Sequence, residues 1–245
     1  MRRVMTAVLG LSLACALVAV AQTEPFSADE ILERTRQAWR GESFHATLEL
    51  EIVLSGQTKS HVLEVWTLGE DRTLVRILEP PEDAGSGYLE ADGELLYYHP
   101  EVGVVKYPSV ALSSALFGAG PSLDDLSHGT LSDDYDAQAR VDDEEGYSLT
   151  LIPHDDAPVV FGKLEIEVSA DFVIRKIVYY DQRDAVLRTA TFSDVVDVEG
   201  RLIPTTVEIV DATGDRTIQR VIDPEFELDI DETFFTIEML TGETE

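Results

Sequence analysis

Apolar and polar side chains alternate with a period of two along most of the chain. The first such segment runs from Phe44 to Leu54, with apolar residues at every even position and mostly polar residues between them. This alternation is typical of a β-strand that buries one face, and the turns between segments predict sequential hairpins. The predicted strands are 44–54, 61–68, 73–78, 94–98, 135–141, 147–152, 163–168, 172–180, 186–197, 202–210 and 217–222.

A shorter segment ahead of the first strand has a helical period instead. Ser27 and Glu30 have the S-x-x-E spacing of a capping box, and Ile31 and Trp39 fall on one stripe before Gly41. A capping box satisfies backbone N–H groups at the start of a helix, and glycine commonly follows its end. These features predict an amphipathic helix that covers another element.

The strand alternation is interrupted between residues 109 and 126. Apolar residues have mixed spacing there, and Gly118, Gly120 and Pro121 follow them. Glycine and proline at such close spacing disfavour a regular strand. The segment is therefore predicted to be a short helix or loop laid over the sheet.

Together these elements predict a mainly β fold of the α+β class. We expect an incomplete, strongly curved antiparallel β-barrel of about eleven strands, covered by the N-terminal helix and by a short lid helix or loop. No composition break, internal repeat or low-complexity tail divides residues 22–245. Those residues are therefore predicted to form a single domain.

The N-terminus has the pattern of a secretory signal peptide. Two arginines precede an apolar run from Val4 to Val20, and an A-x-A cleavage site ends it. The prediction is an exported protein with a signal peptide at 1–21 and a mature chain from about Gln22. Two alternatives stay open: an uncleaved membrane anchor, and lipid attachment at Cys15.

The charge balance narrows the class of partner. The chain has 18 basic and 48 acidic residues, which give a formal net charge of −30. Nucleic acid is not an expected partner because its phosphates would be repelled, and such a charge favours solubility. Cys15 is the single cysteine, so the mature chain is expected to have neither disulfides nor thiolate chemistry.

The sequence contains no recognisable catalytic or metal-binding pattern. The five histidines lack the H-x-x-x-H or H-x-H spacing of metal ligands, and the acidic run from Asp142 to Glu145 lacks the alternate spacing of a calcium loop. Glycoside hydrolysis needs two carboxylates on opposite sides of the substrate. Asp124 and Asp125 are adjacent on one loop and do not face each other in that way. We predict no enzyme activity, no cofactor and no metal; a lipid-modifying hydrolase is the alternative.

Several motifs occur in a defined order along the chain. Residues 74–126 contain a strand, a proline bend, a Gly-rich turn, a Tyr-Pro corner and a Gly-containing loop. Residues 177–211 contain a strand ending in Asp, a strand ending in F-S-D, and then Gly and Pro; residues 231–236 close the set. Over about 27–240, this order resembles the LolA-like family, periplasmic outer-membrane lipoprotein-sorting proteins. The segment 118–126 departs from the family pattern.

The resemblance implies a periplasmic carrier or chaperone whose apolar cavity binds the acyl chains of lipoproteins or lipids for transfer to the outer membrane. We expect a monomer with an acylated lipoprotein or lipid as cargo, and consider an inner-membrane transporter as a further partner. The residues predicted to line the lipid-binding cavity are Leu48, Leu50, Ile52, Leu63, Val65 and Tyr97. The residues predicted to form the lid are Ile31, Trp39, Leu112, Leu116 and Phe117. The alternative is a non-enzymatic periplasmic module that binds a protein partner, such as that transporter, through its acidic face.

Overall fold

The fold is one large antiparallel sheet with short helices on both of its faces. The computed structural model describes residues 26–39, 41–69, 71–108, 111, 115–117, 121–126, 135–142, 146–155, 157 and 159–242. The predicted signal peptide, Cys15 and the lid residue Leu112 lie outside the described residues. None of the helices in the described part is long and apolar enough to cross a membrane.

The chain forms thirteen strands and three α-helices in the described residues. The strands are β1 (Ser43–Leu54), β2 (Gln57–Leu68), β3 (Arg72–Glu79), β4 (Gly87–Ala91), β5 (Glu94–His99), β6 (Gly103–Tyr107), β7 (Tyr135–Asp142), β8 (Gly146–Pro153), β9 (Lys163–Ser169), β10 (Ile174–Tyr180), β11 (Val186–Val198), β12 (Arg201–Asp211) and β13 (Arg216–Phe226). The helices are α1 (Ala28–Trp39), α2 (Leu123–Leu126) and α3 (Ile237–Thr241), and a 3-10 turn spans Glu232–Phe234.

Consecutive strands pair with each other except β6 and β7, and one seam joins strands that are far apart in the chain. The sheet order is β6-β5-β4-β3-β2-β1-β13-β12-β11-β10-β9-β8-β7, so that β1 pairs with β13 at the centre. The seam joins two meanders, β1 to β6 and β7 to β13, and leaves β6 and β7 as the two edges. This arrangement confirms the predicted open, strongly curved antiparallel fold and its sequential hairpins.

The sheet has two more strands than the eleven predicted. The additional strands are β4 and β6, each five residues long. Strand β4 begins at Gly87, directly after a stretch of small residues, and β6 lies at a sheet edge with mostly exposed or half-exposed residues. Short strands of this kind show too few alternating positions for a period of two to be recognised.

Helix α1 forms as the capping box predicts. The backbone N–H of Glu30 donates to Ser27 Oγ at 3.1 Å, and Ile31 is completely buried. The apolar stripe of α1 packs on the concave face of the sheet over the second meander, where Ile31 contacts a cluster built from strands β7 to β12.

The opposite, convex face is covered near β3 and β4 by the C-terminal residues. Phe235 and Leu240 pack there against Leu74 and Leu89 in a separate buried cluster. The Arg76 guanidinium donates to the carbonyl oxygen of Met239 with its Nε at 2.9 Å. Strands β3 and β4 are therefore buried on both faces, which is why apolar residues occur on both sides of β3.

Candidate functional site

The concave face of the first meander carries five of the six predicted cavity residues in one buried patch. In the register of β1 and β2, Leu48 lies opposite Leu63, and Ala46 lies opposite Val65. Leu50 and Ile52 follow on the same face of β1 because alternate side chains of a strand point to the same side. All of these side chains belong to one apolar cluster and are almost completely buried.

A short segment covers this patch. Leu123 and Leu126 of α2 belong to the same cluster, and Leu116, Phe117 and Ala111 pack against it. We call residues 115–126, as far as they are described, the lid segment. Of the residues predicted for the lid, Leu116 and Phe117 thus lie over the predicted cavity residues.

The other two described lid residues lie elsewhere. Ile31 is in the cluster of the second meander, and Trp39 packs beside it with its ring edge-on to Phe192 at 5.7 Å between centroids. Helix α1 therefore covers the half of the concave face that does not contain Leu48 and Leu50. The sequence showed that α1 has an apolar stripe to bury, but not which half of the sheet receives it.

Tyr97 lies at the margin of the apolar patch. Its ring is 4.9 Å from that of Tyr88 and 5.9 Å from that of Tyr107, and it is half-buried. Tyr88 packs against the cluster that contains Leu48. Burial, together with the neighbouring Tyr97 and Tyr107, raises the pKa of Tyr88, so the phenol stays neutral throughout the physiological range.

Between the two concave clusters lies a buried polar group that the sequence did not predict. Asp125 of α2 accepts a hydrogen bond from the Arg188 guanidinium at 2.9 Å and another from the Tyr179 hydroxyl at 3.1 Å. Arg188 is on β11 and Tyr179 is its register partner on β10. The lid segment over the first meander is thus bonded to strands of the second.

Local hydrogen bonds fix Asp125 in this position. Its Oδ2 accepts from both the backbone N–H and the hydroxyl of Ser122, each at 2.8 Å, while its own N–H donates to Ser122 Oγ at 3.2 Å. Burial alone would raise the pKa of Asp125, but Arg188 and the Ser122 hydrogen bonds outweigh it and hold the pKa below its usual range. The carboxylate therefore stays charged. The S-x-x-D spacing was a signal in the sequence, since it is typical of a helix start.

A second contact joins the lid segment to the sheet at His61. The Phe117 ring stacks on the imidazole with 3.9 Å between centroids and 21° between planes. His61 lies opposite Leu50 in the register of β1 and β2, and its side chain is 4% exposed. Burial lowers the pKa of His61, although Asp83 opposes that effect.

Comparison with known proteins places this geometry in a family. A family model described as an uncharacterized protein matches residues 69–242. The structure superposes on a LolA superfamily protein from Nitrosomonas europaea with a TM-score of 0.75 and 22% sequence identity, over 87% of this chain and 99% of that chain. The chain belongs to the family of that model, and its structure has the LolA-like fold.

Two further solved structures share the LolA-like fold. One is a protein domain from Vibrio parahaemolyticus named for outer membrane lipoprotein sorting, with a TM-score of 0.75 and 20% identity over 86% of this chain and 97% of that one. The other is a DUF1329 family protein from Desulfovibrio piger, with a TM-score of 0.75 and 17% identity over 86% of this chain and 96% of that one. None of the curated proteins matches the chain. At these identities the structural likeness concerns the fold.

The LolA-like sheet contains no metal centre within its described part. Among those residues no three His, Cys, Asp or Glu side chains are grouped as metal ligands would be. What the concave face does offer is an apolar surface, a short segment laid over it, and a few buried polar atoms. Such an arrangement suits the binding of an apolar ligand.

Proposed function

We propose that the protein is a periplasmic carrier or chaperone that binds the acyl chains of lipoproteins or lipids on its concave face and hands them to the outer membrane. One observation carries the proposal: among the described residues, the patch of Leu48, Leu50 and Leu63 is covered by the four-residue helix α2 and by the short segment before it. A short cover can be displaced without unfolding the sheet. The likeness to a domain named for lipoprotein sorting supports the same function.

Cargo binding requires the lid segment to move. The patch is covered because Leu123 and Leu126 pack on it. These two residues are 1% and 0% exposed. An acyl chain that replaces them exchanges one apolar contact for another. Burial of each CH₂ contributes about 0.8 kcal/mol, so a long chain removed from water gains several times what two leucines lose. The competition with the leucines then lowers the net affinity and favours release.

The position of the protein in the cell follows from the N-terminal pattern. The predicted signal peptide directs export, and removal of 1–21 leaves a soluble carrier between two membranes. An inner-membrane transporter would load the cargo, since desorption of an acyl chain into water is slow without assistance. The carrier would act as a monomer.

The decisive experiment is native mass spectrometry, with organic extraction, of the mature chain from Gln22 expressed into a periplasm. The expected result is an adduct of stoichiometric amount that contains acyl chains. A clean apoprotein that also fails to bind a fluorescent fatty acyl probe would contradict the carrier function.

A matched pair of variants places the cargo on the concave face. Leu50→Glu puts a charge into the apolar patch and should abolish probe binding, because an unpaired buried carboxylate is strongly unfavourable there. Val195→Glu is the control, since Val195 is 51% exposed on β11. Retained probe binding by a folded Leu50→Glu protein would rule out this location.

A second function is favoured by an exposed apolar strip. Val195 and Val196 are 51% and 41% exposed, and β10 pairs with β11 only as far as Thr191. Asp194 and Asp197 flank the two valines. This end of β11 would suit a non-enzymatic module that binds a basic protein partner. Partner binding driven by charge should weaken steeply as ionic strength rises, whereas acyl binding should not.

A further inference from the structure

One ring nitrogen on the apolar concave face has no hydrogen-bond partner among the described residues. It is Nδ1 of His61, a side chain that is 4% exposed. A buried polar atom usually finds a partner in a folded protein, because leaving it without one is unfavourable. The atom lies on the face predicted to receive cargo, since His61 is the register partner of Leu50.

The other ring nitrogen determines what Nδ1 can do. Nε2 lies 3.6 Å from the carboxylate oxygen Oδ2 of Asp83. A carboxylate favours the tautomer that has its proton on the nearer nitrogen. In the neutral ring Nδ1 therefore carries a lone pair and accepts a hydrogen bond rather than donating one.

The lid segment covers the imidazole ring of His61. Phe117 stacks on the face of His61, so movement of the lid segment would uncover the ring at the same time as the leucine patch. A second buried polar atom without a partner among the described residues, Thr217 Oγ1, is on β13 opposite Ile52. Both polar atoms lie nearer to the β1–β2 turn than Leu48 and Leu63 do, at one end of the apolar patch.

We propose that His61 Nδ1 accepts a hydrogen bond from a donor group next to the acyl chain of the cargo, an amide N–H or a hydroxyl. The acyl chain lies along Leu48 and Leu63, and the donor lies at the end of the patch marked by His61. This proposal rests on the proposed carrier function. It assigns His61 as a specificity-determining residue that distinguishes a cargo with a donor at that position from one without.

The test uses ligand pairs that differ in the donor alone. N-hexadecanoylglycine methyl ester and its N-methyl analogue report on the amide N–H, and monohexadecanoylglycerol and its dimethyl ether report on the hydroxyl. The mature chain should prefer the donor ligand of at least one pair by about two- to tenfold in Kd, as one hydrogen bond gives. The pair that shows the preference identifies the source of the donor.

The variant that isolates His61 is His61→Phe, which retains an aromatic ring beneath Phe117 and removes both nitrogens. It should bind the methylated ligands as the original chain does and lose the preference for the donor ligands. Thr67→Val is the matched control, because Thr67 Oγ1 is another buried polar atom without a partner in the described part of the chain and lies opposite Thr73 at the other end of the patch. This control should retain the full preference.

A further variant avoids any change in the interior. Asp83 is 42% exposed, and Asp83→Asn weakens the bias toward the Nε2 proton. The preference for donor ligands should fall in that variant.

An unchanged preference in His61→Phe, or no preference in the original chain, would overturn the assignment of His61 while leaving the carrier function intact. Failure of the original chain to bind any of the four ligands would instead overturn the carrier function and the assignment together.

Discussion

Asp125 on the lid segment and Arg188 on β11 form a buried ion pair, with 2.9 Å between Oδ1 and the guanidinium nitrogen and with both side chains 12% exposed. The pair joins the lid segment, which lies over the first meander, to strand β11 of the second meander. Arg188 also lies over the ring of Tyr179, with its guanidinium carbon 4.1 Å from the centroid. The lid segment is thus held by a polar contact at Asp125 and by the apolar contacts of Leu123 and Leu126 on either side of it.

Removal of either partner should loosen the lid segment. Asp125→Asn or Arg188→Met leaves a buried group without its charge partner, which costs about 3–5 kcal/mol. Urea unfolding should show the lower stability, and stopped-flow uptake of an acyl probe should be faster. The double variant should recover part of the loss.

Glu94→Gln breaks an exposed pair with Lys106 and should change stability by less than about 1 kcal/mol. Equal effects of Asp125→Asn and Glu94→Gln would show that the buried pair does not hold the lid segment.

The contribution of Asp125 should depend on pH in a defined direction. Its pKa is lower in the folded protein than in the unfolded chain, so the stability it contributes is complete above the unfolded value of about 3.9 and is lost as the pH falls toward the folded value. The difference in unfolding free energy between the original chain and Asp125→Asn should therefore be constant from about pH 7 to pH 5. Below about pH 4 it should narrow. A difference that grows on acidification would contradict the charged state of Asp125.

Truncation of a lid leucine should affect stability and cargo binding in opposite directions. Leu126→Ala removes buried contacts and should lower the unfolding free energy by about 2–5 kcal/mol. The same change removes a competitor for the apolar patch, so an acyl probe should bind more tightly. Leu48→Ala, on the sheet, should weaken both properties. Titration with the probe and urea unfolding of the two variants give the comparison, and weaker binding by Leu126→Ala would argue against competition.

The close contact between α3 and the convex face predicts a strong effect at Gly87. A Cβ at this position would overlap the carbonyl oxygen of Val75 and lie 2.8 Å from Leu240 Cδ1. Gly87→Ala should therefore cost more than about 2 kcal/mol through displaced backbone and helix. Gly93→Ala is the control: its φ is +74° but nothing lies within 4 Å, so a cost of about 1 kcal/mol is expected. Thermal unfolding of both variants checks the ranking.

Much of the architecture could be predicted from the order of side chains. The alternation from Phe44 to Leu54 identified β1 and its buried face, and the capping box at Ser27 identified the start of α1. The partly buried Leu116 and Phe117 also pack on the sheet where the break in alternation indicated a cover. The strand alternation, the helix start and the break in alternation each depend on residues within one turn or one hairpin of each other, so the sequence alone contains that information.

The pairing of distant segments was decided by the tertiary structure. Strand β1 pairs with β13, where Leu48 lies opposite Val221, and no local pattern specifies that seam. Asp125 meets Arg188 across 63 positions of the chain, and α1 settles over the second meander instead of over Leu50. Strand alternation and helix capping depend on residues that are close together in the sequence. The choice of partner surface depends on which of several similar apolar faces pack together with the most buried area and no unpaired charge, and only the folded chain determines that.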